Sequence, residues 1–184
     1  MNSTSITTGV PVPPWLRTVA LLLIGNLVLV VSAKIQVPFW PVPMTLQTGA
    51  ALLLGVTLGW RLSGASVLAY LVEGAAGLPV FATGGGLSYL SGPTGGYLVG
   101  FLVATVAVGR LMELGAARRL SGIVATLVFG DLVIMGLGVA WLAILFGPAQ
   151  AVASGLLPFA FGEATKIALV SSLVFLRIRR NRTS

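Results

Sequence analysis

PFAFGEATK, residues 158–166, opens an apolar run with a proline and then carries Glu163 and Lys166 three residues apart. On an α-helix that spacing stacks an acid and a base on one face. The run continues to Leu176 without another charge and is long enough to cross a bilayer, which takes roughly 20 residues. A charge at membrane depth is costly, so its default reading is a functional site with a partner for each charge. Here each charge can partner the other.

The rest of the chain supports the membrane reading. Of 184 residues, 57% are hydrophobic and 8% charged, with a mean hydropathy of +1.03. A soluble domain has about a quarter of its residues charged. Apolar runs fall at Trp15–Ser32, Leu46–Trp60, Leu62–Gly77, Gly95–Leu114, Ile123–Phe146 and Leu156–Leu176. They predict an all-α integral membrane protein of six transmembrane helices, the second and third somewhat short. The domain expectation is one transmembrane unit over residues 1–184, with a polar tail at 1–14 and a basic tail at 177–184. Met1–Pro14 lacks the basic start of a signal peptide.

The basic residues set the orientation, because cytoplasmic loops attract Lys and Arg near span ends. With the N-terminus inside, Arg17, Arg61, Arg110, Arg118, Arg119, Arg177, Arg179, Arg180 and Arg182 all fall on the cytoplasmic side. Lys34 alone lies in an outward connection, and Lys166 lies within a span. Five or seven spans would scatter the arginines to both faces, so both termini are expected in the cytoplasm. The net charge of +7 then reflects orientation and attraction to anionic lipid; no nucleic-acid partner is expected. The chain has neither Cys nor His, which removes thiolate and imidazole chemistry and the usual soft-metal ligands. No metal site is expected.

The outward connections are unlike the arginine-marked inward ones. Lys34–Gln47 reads KIQVPFWPVPMTLQ, and Pro38, Pro41 and Pro43 forbid a regular helix there. Phe39 and Trp40 either anchor this segment at the interface or roof a pocket. Gly77–Tyr97 reads GLPVFATGGGLSYLSGPTGGY, with seven glycines and two prolines. Such a segment brings backbone close to a ligand. It is no nucleotide loop, since Gly95–Gly96 is followed by Tyr97–Leu98 where a Walker A needs Lys and Ser or Thr. Phe81, Tyr89, Leu90 and Tyr97 are too apolar for a merely solvated linker, which favours a binding role. The third connection, Gly147–Leu157, is expected to be short, with Pro158 starting the last span. Glu163 then lies about 7–8 Å down that helix at 1.5 Å per residue.

Three other acids need a place. Glu73, near the outer end of the third span, could face the same cavity; Asp131, about ten residues into the fifth, is either a proton-coupling carboxylate or a packed structural acid. Glu113 lies near Arg110 and reads as an inner-face charge. A pocket with one carboxylate, one ammonium, amide groups such as Gln47 and aromatic walls suits a small amphipathic molecule carrying donors and acceptors. The bland alternative is a self-neutralising Glu163–Lys166 pair that only holds the bundle together.

The runs IQVPFWPVPMTLQ, GLPVFATGGG, GPTGGYLVGF and PFAFGEATK, in this order from Ile35 to Lys166, resemble the successive motifs of the BioY family. These are the substrate-binding S components of energy-coupling-factor (ECF) biotin transporters. The resemblance implies an S-component fold of six helices, with biotin bound near the outer face as transported ligand and no cofactor. It implies contacts from Gln47, from Phe81, Ala82, Thr83 and Gly84, from Tyr97, and from Glu163 and Lys166. Glu163 would accept the ureido N–H groups and Lys166 would help orient the polar head. The family usually has Asp where this chain has Glu163. Its first span usually carries small residues spaced by four, where this chain has Ala20 followed by Ile24 and Gly25 by Leu29.

The implied partners are the lipid bilayer, a T component and two ATPases, since this chain has no ATP-binding motif; self-association is open. The implied location is the bacterial or archaeal cell (inner) membrane. A solitary or proton-coupled carrier is the alternative, although it predicts internal repeats and none is evident. An intramembrane enzyme is not expected, because the acids fall at different depths without a nucleophile motif.

Overall fold

The structure, a computed structural model, describes residues 13–116 and 119–183, with side chains through Arg180. Residues 1–12 of the polar tail, Arg118, the Arg182 side chain and the end of the basic tail lie outside the described residues.

Helix α1 (Pro14–Lys34) starts with proline in its first turn, where the missing N–H costs nothing. Its buried residues Gly25, Asn26, Leu29, Ser32 and Ala33 recur every three to four positions, while Leu23, Ile24, Leu27 and Val31 are exposed. An apolar face without protein cover is what a bilayer requires. The proline-rich connection folds back on itself, and β1 (Gln36–Val37) pairs antiparallel with β2 (Met44–Thr45), Gln36 opposite Thr45. The chain is therefore mostly helical rather than strictly all-α. Prolines removed the helical option, and the freed backbone groups found partners across the fold-back.

Helix α2 (Gln47–Ala75) holds one residue outside helical geometry, Gly59, at φ 73° and ψ 168°. Only glycine adopts that conformation cheaply. In a straight helix Gln47 and Tyr70, 23 residues apart, would be about 35 Å from each other. Instead Gln47 Nε2 donates to Tyr70 Oη at 2.7 Å. The chain thus reverses at Gly59 and the two arms of α2 lie side by side. The sequence reading put this reversal at Arg61; it comes two residues earlier, at the glycine.

A short α3 (Leu87–Leu90) interrupts the glycine-rich connection, and α4 (Gly95–Glu113) and α5 (Leu120–Phe146) follow. Small residues let α2 and α4 approach closely: a methyl on Gly55 would sit 2.8 Å from the Thr105 carbonyl oxygen, and Thr105 Oγ1 donates to the Ala51 carbonyl at 3.2 Å. The third connection is not a plain short loop. Pro148–Gly155 forms α6, and α7 (Ala160–Thr183) begins two residues beyond Pro158, which therefore does not start the last span. The proline instead initiating a helix is Pro148, at the first turn of α6. Among the described residues, α1, α2, α4 and α5 are long and apolar enough to cross a membrane, and α6 with α7, bent by 50°, makes up to a fifth such element.

Candidate functional site

Helix α7 turns Glu163, Lys166, Val170 and Val174 inward at helical spacing, all buried. The two charges meet inside the protein: Lys166 Nζ lies 2.7 Å from Glu163 Oε1. The same ammonium donates to the Thr45 carbonyl and to Thr48 Oγ1, each at 2.7 Å. An ammonium has three protons, so Lys166 is saturated by three acceptors. Glu163 is not. Its Oε2 is buried and accepts no hydrogen bond from a protein donor, and the Asp131 carboxyl of α5 lies within hydrogen-bonding reach of it or its partner oxygen.

The Glu163 carboxyl lines a narrow cavity, about 430 Å³ with its open mouth included. The first connection supplies Val42, Pro43 and Thr45, α2 supplies Gln47 and Thr48, and the glycine-rich connection supplies Phe81, Ala82, Tyr89 and Thr94. The remaining wall is apolar or aromatic: Tyr97, Leu98 and Phe101 from α4, Met135 from α5, and Phe159 at the head of α7.

Each wall is held by a nameable contact. Gln47 Nε2 donates to Tyr70 Oη, whose hydroxyl donates to the Val80 carbonyl at 3.3 Å, tying α2 to the glycine-rich connection. Thr45 Oγ1 donates to Gln47 Oε1 and accepts the Gln47 backbone N–H. The Phe81 ring is fully buried over Gly74, where any side chain would collide with it, and packs edge-on against Tyr70 and stacked on Tyr89. Lys34 Nζ donates to the Phe81 carbonyl at 2.5 Å, and Gln36 Nε2 to that of Ala82 at 3.4 Å. Tyr97 Oη donates to the Gly155 carbonyl at 2.7 Å, which fixes α6 against α4.

Of the eight residues singled out in the sequence, Gln47, Phe81, Ala82, Tyr97 and Glu163 line this cavity. Thr83 and Gly84 line an adjoining one farther along the same connection, because the turn closed by the Phe81 N–H on the Gly84 carbonyl at 3.0 Å carries them past the wall. Lys166 lines neither and stands behind Glu163. The acids separate as well. Glu73 accepts a hydrogen bond from Asn26 Nδ2 at 3.0 Å in the α1–α2 interface and does not line the cavity. Asp131 of α5 faces Glu163 and Lys166 and lies within hydrogen-bonding reach of the Glu163 carboxyl, with Oδ1 buried and without a protein donor. Glu113 pairs with Arg110 at 3.6 Å, as its spacing implied. Trp40 is exposed and touches Phe146, so it roofs nothing; Phe39 reaches the site only through Phe159.

Tyr89 was expected to take part through its place in the glycine-rich connection, whereas Thr45, Thr48, Tyr70 and Phe159 were not singled out. Thr45 and Thr48 flank Gln47 in a segment rich in hydrogen-bonding groups, and that clustering was the available signal. Chemically, the site combines a carboxylate oxygen that lacks a protein donor with an apolar slot, and the Gln47 amide in its wall is engaged by Tyr70 and Thr45.

Three comparisons bear on this geometry. The model of the BioY family matches residues 2–183. A probable biotin transporter BioY from Pyrococcus horikoshii is 40% identical over 139 residues, covering 75% of this chain and 82% of that protein. The biotin transporter BioY of Thermotoga maritima is 36% identical over 154 residues, covering 83% and 89%. Among solved structures, the S-component for biotin from an ECF-type ABC transporter superposes with a TM-score of 0.78 at 26% identity, covering 90% of this chain and 92% of that one.

Proposed function

This chain belongs to the BioY family, and on that premise we propose that it captures biotin near the extracytoplasmic face and delivers it inward with an ECF energising module. The family is one of transporters, not of enzymes. One observation carries the proposal: a buried carboxylate that lines a largely apolar cavity, with one oxygen neutralised by a saturated lysine and the other without a protein donor. Biotin's ureido N–H groups match the open oxygen, and its thioether ring and aliphatic tail match the walls. The binding set is Gln47, Phe81, Ala82, Tyr97 and Glu163, with Lys166 holding Glu163 in place and Thr83 and Gly84 at the outer edge.

The topology proposed with it is six spans, with both termini cytoplasmic, in a bacterial or archaeal inner membrane. The reversal at Gly59 supports counting each arm of α2 as a span. A second cavity lined by Gly59, Gly109, Glu113 and Arg177 supports the orientation, since it gathers the turn and the arginine-bearing helix ends away from Glu163. The proposed partners are a T component and two ATPases, with self-association as a further arrangement. Asp131, facing Glu163 with an open oxygen, favours a second reading, a solitary or proton-coupled biotin carrier. Biotin counterflow in partner-free vesicles that collapses with a protonophore would select that reading.

Calorimetric titration of the detergent-purified protein with biotin tests the site. Saturable binding is expected, weakened about 10–100-fold by Glu163→Gln, the worth of a charge-assisted hydrogen bond. Unchanged affinity in both Glu163→Gln and Lys166→Met would remove the pair from the site.

A further inference from the structure

The cavity that Glu163 lines is joined to a second one of about 730 Å³, open side included, through three shared residues, Pro43, Tyr89 and Thr94. The rest of this outer lining is Pro41, Thr83, Gly84, Gly85, Ser88, Gly92 and Pro93, of which Thr83 and Ser88 are exposed. It is polar but uncharged: hydroxyls, glycine backbone and prolines. The two nearby cations each have protein partners. Lys166 has its three protons on Thr45, Thr48 and Glu163, and Lys34 donates to the Phe81 carbonyl; neither lines either cavity.

We propose that this neutral outer vestibule receives the acyl tail of biotin without recognising its charge, so that the substrate class includes biotin amides with extended tails. The inference rests on the reading that the ureido head meets Glu163. With the head held inward, the tail leaves through the shared Pro43–Tyr89–Thr94 boundary. A carboxylate there keeps its hydration beside exposed Thr83 and Ser88 and meets no arginine or lysine among the described residues lining the vestibule. Specificity is a difference of affinities, and a mouth built of neutral groups provides little difference between an acid and its amide. The open side leaves room for atoms beyond the carbonyl.

The test is calorimetric titration of the full chain in detergent with biotin, biotinamide and biocytin, in which biotin is joined to lysine through an amide. Dissociation constants within about tenfold of one another support the proposal, since tenfold marks the smallest clear specificity step. Loss of more than tenfold for both amides, with biotin still bound, overturns it and leaves the reading of the head intact. Failure of biotin itself to bind overturns both. Lys34→Met provides an independent arm: an unchanged ratio of biotin to biotinamide affinity supports the proposal, and selective weakening of biotin overturns it by assigning the carboxylate to Lys34.

Discussion

Two ion pairs in this chain share one sequence spacing and differ in everything else. Arg110 and Glu113, in the last turn of α4, lie 3.6 Å apart with side chains 59% and 44% exposed. Lys166 and Glu163, near the N-terminal end of α7, lie 2.7 Å apart with side chains 10% and 5% exposed. An i,i+3 spacing guarantees adjacency on a helix and nothing more. Burial decides the rest: water screens the exposed pair, whereas the buried pair must be satisfied by protein or by a ligand. In the buried pair the lysine is fully satisfied while one carboxylate oxygen lacks a protein donor, and the proposed binding site rests on that imbalance.

The contrast can be broken most severely at Lys166. Lys166→Met leaves Glu163 buried without its counter-charge, and stability is expected to fall by about 3–5 kcal/mol, read by thermal unfolding in detergent, with biotin binding lost. Gly59→Ala strikes the opposite end of the bundle, beside Glu113. Alanine at φ 73° with its methyl 2.6 Å from Glu113 Oε1 is expected to cost about 1–3 kcal/mol in the same assay while leaving biotin affinity unchanged. Thr48→Val removes one of the three lysine acceptors; about 1 kcal/mol of stability should go, with a weaker grip on Glu163 visible as a several-fold rise in Kd. The smallest effect belongs to Arg110→Ala, about 0–1 kcal/mol and no change in binding, because solvent already screens that pair. A larger effect from Arg110→Ala than from Lys166→Met would invert the comparison.

Much of the site was legible because its chemistry is local. Glu163 and Lys166 are neighbours by helix geometry, and glycine with aromatics announced the wall around Phe81. What the sequence withheld depends on contacts between distant segments. The Thr45 carbonyl and Thr48 hydroxyl that saturate Lys166 are 121 and 118 residues from it, and no spacing rule connects them. Tyr70 reads as an ordinary apolar-helix residue until the reversal at Gly59 sets it beside Gln47. That reversal was itself misplaced by two residues, since Arg61 is the stronger signal in a hydropathy reading while the backbone needs a glycine. Helix α6 was missed because its eight residues, PAQAVASG, are too short and too small to show an apolar stripe. The β1–β2 pairing was hidden among prolines, which say what a segment cannot be more clearly than what it becomes.

The most direct measurement is the structure of this protein with biotin bound. The account predicts a ureido nitrogen within about 3.2 Å of Glu163 Oε2, with Lys166 still held by Thr45, Thr48 and Glu163. Biotin seated elsewhere, or in this cavity with Glu163 Oε2 still without a partner, would contradict it.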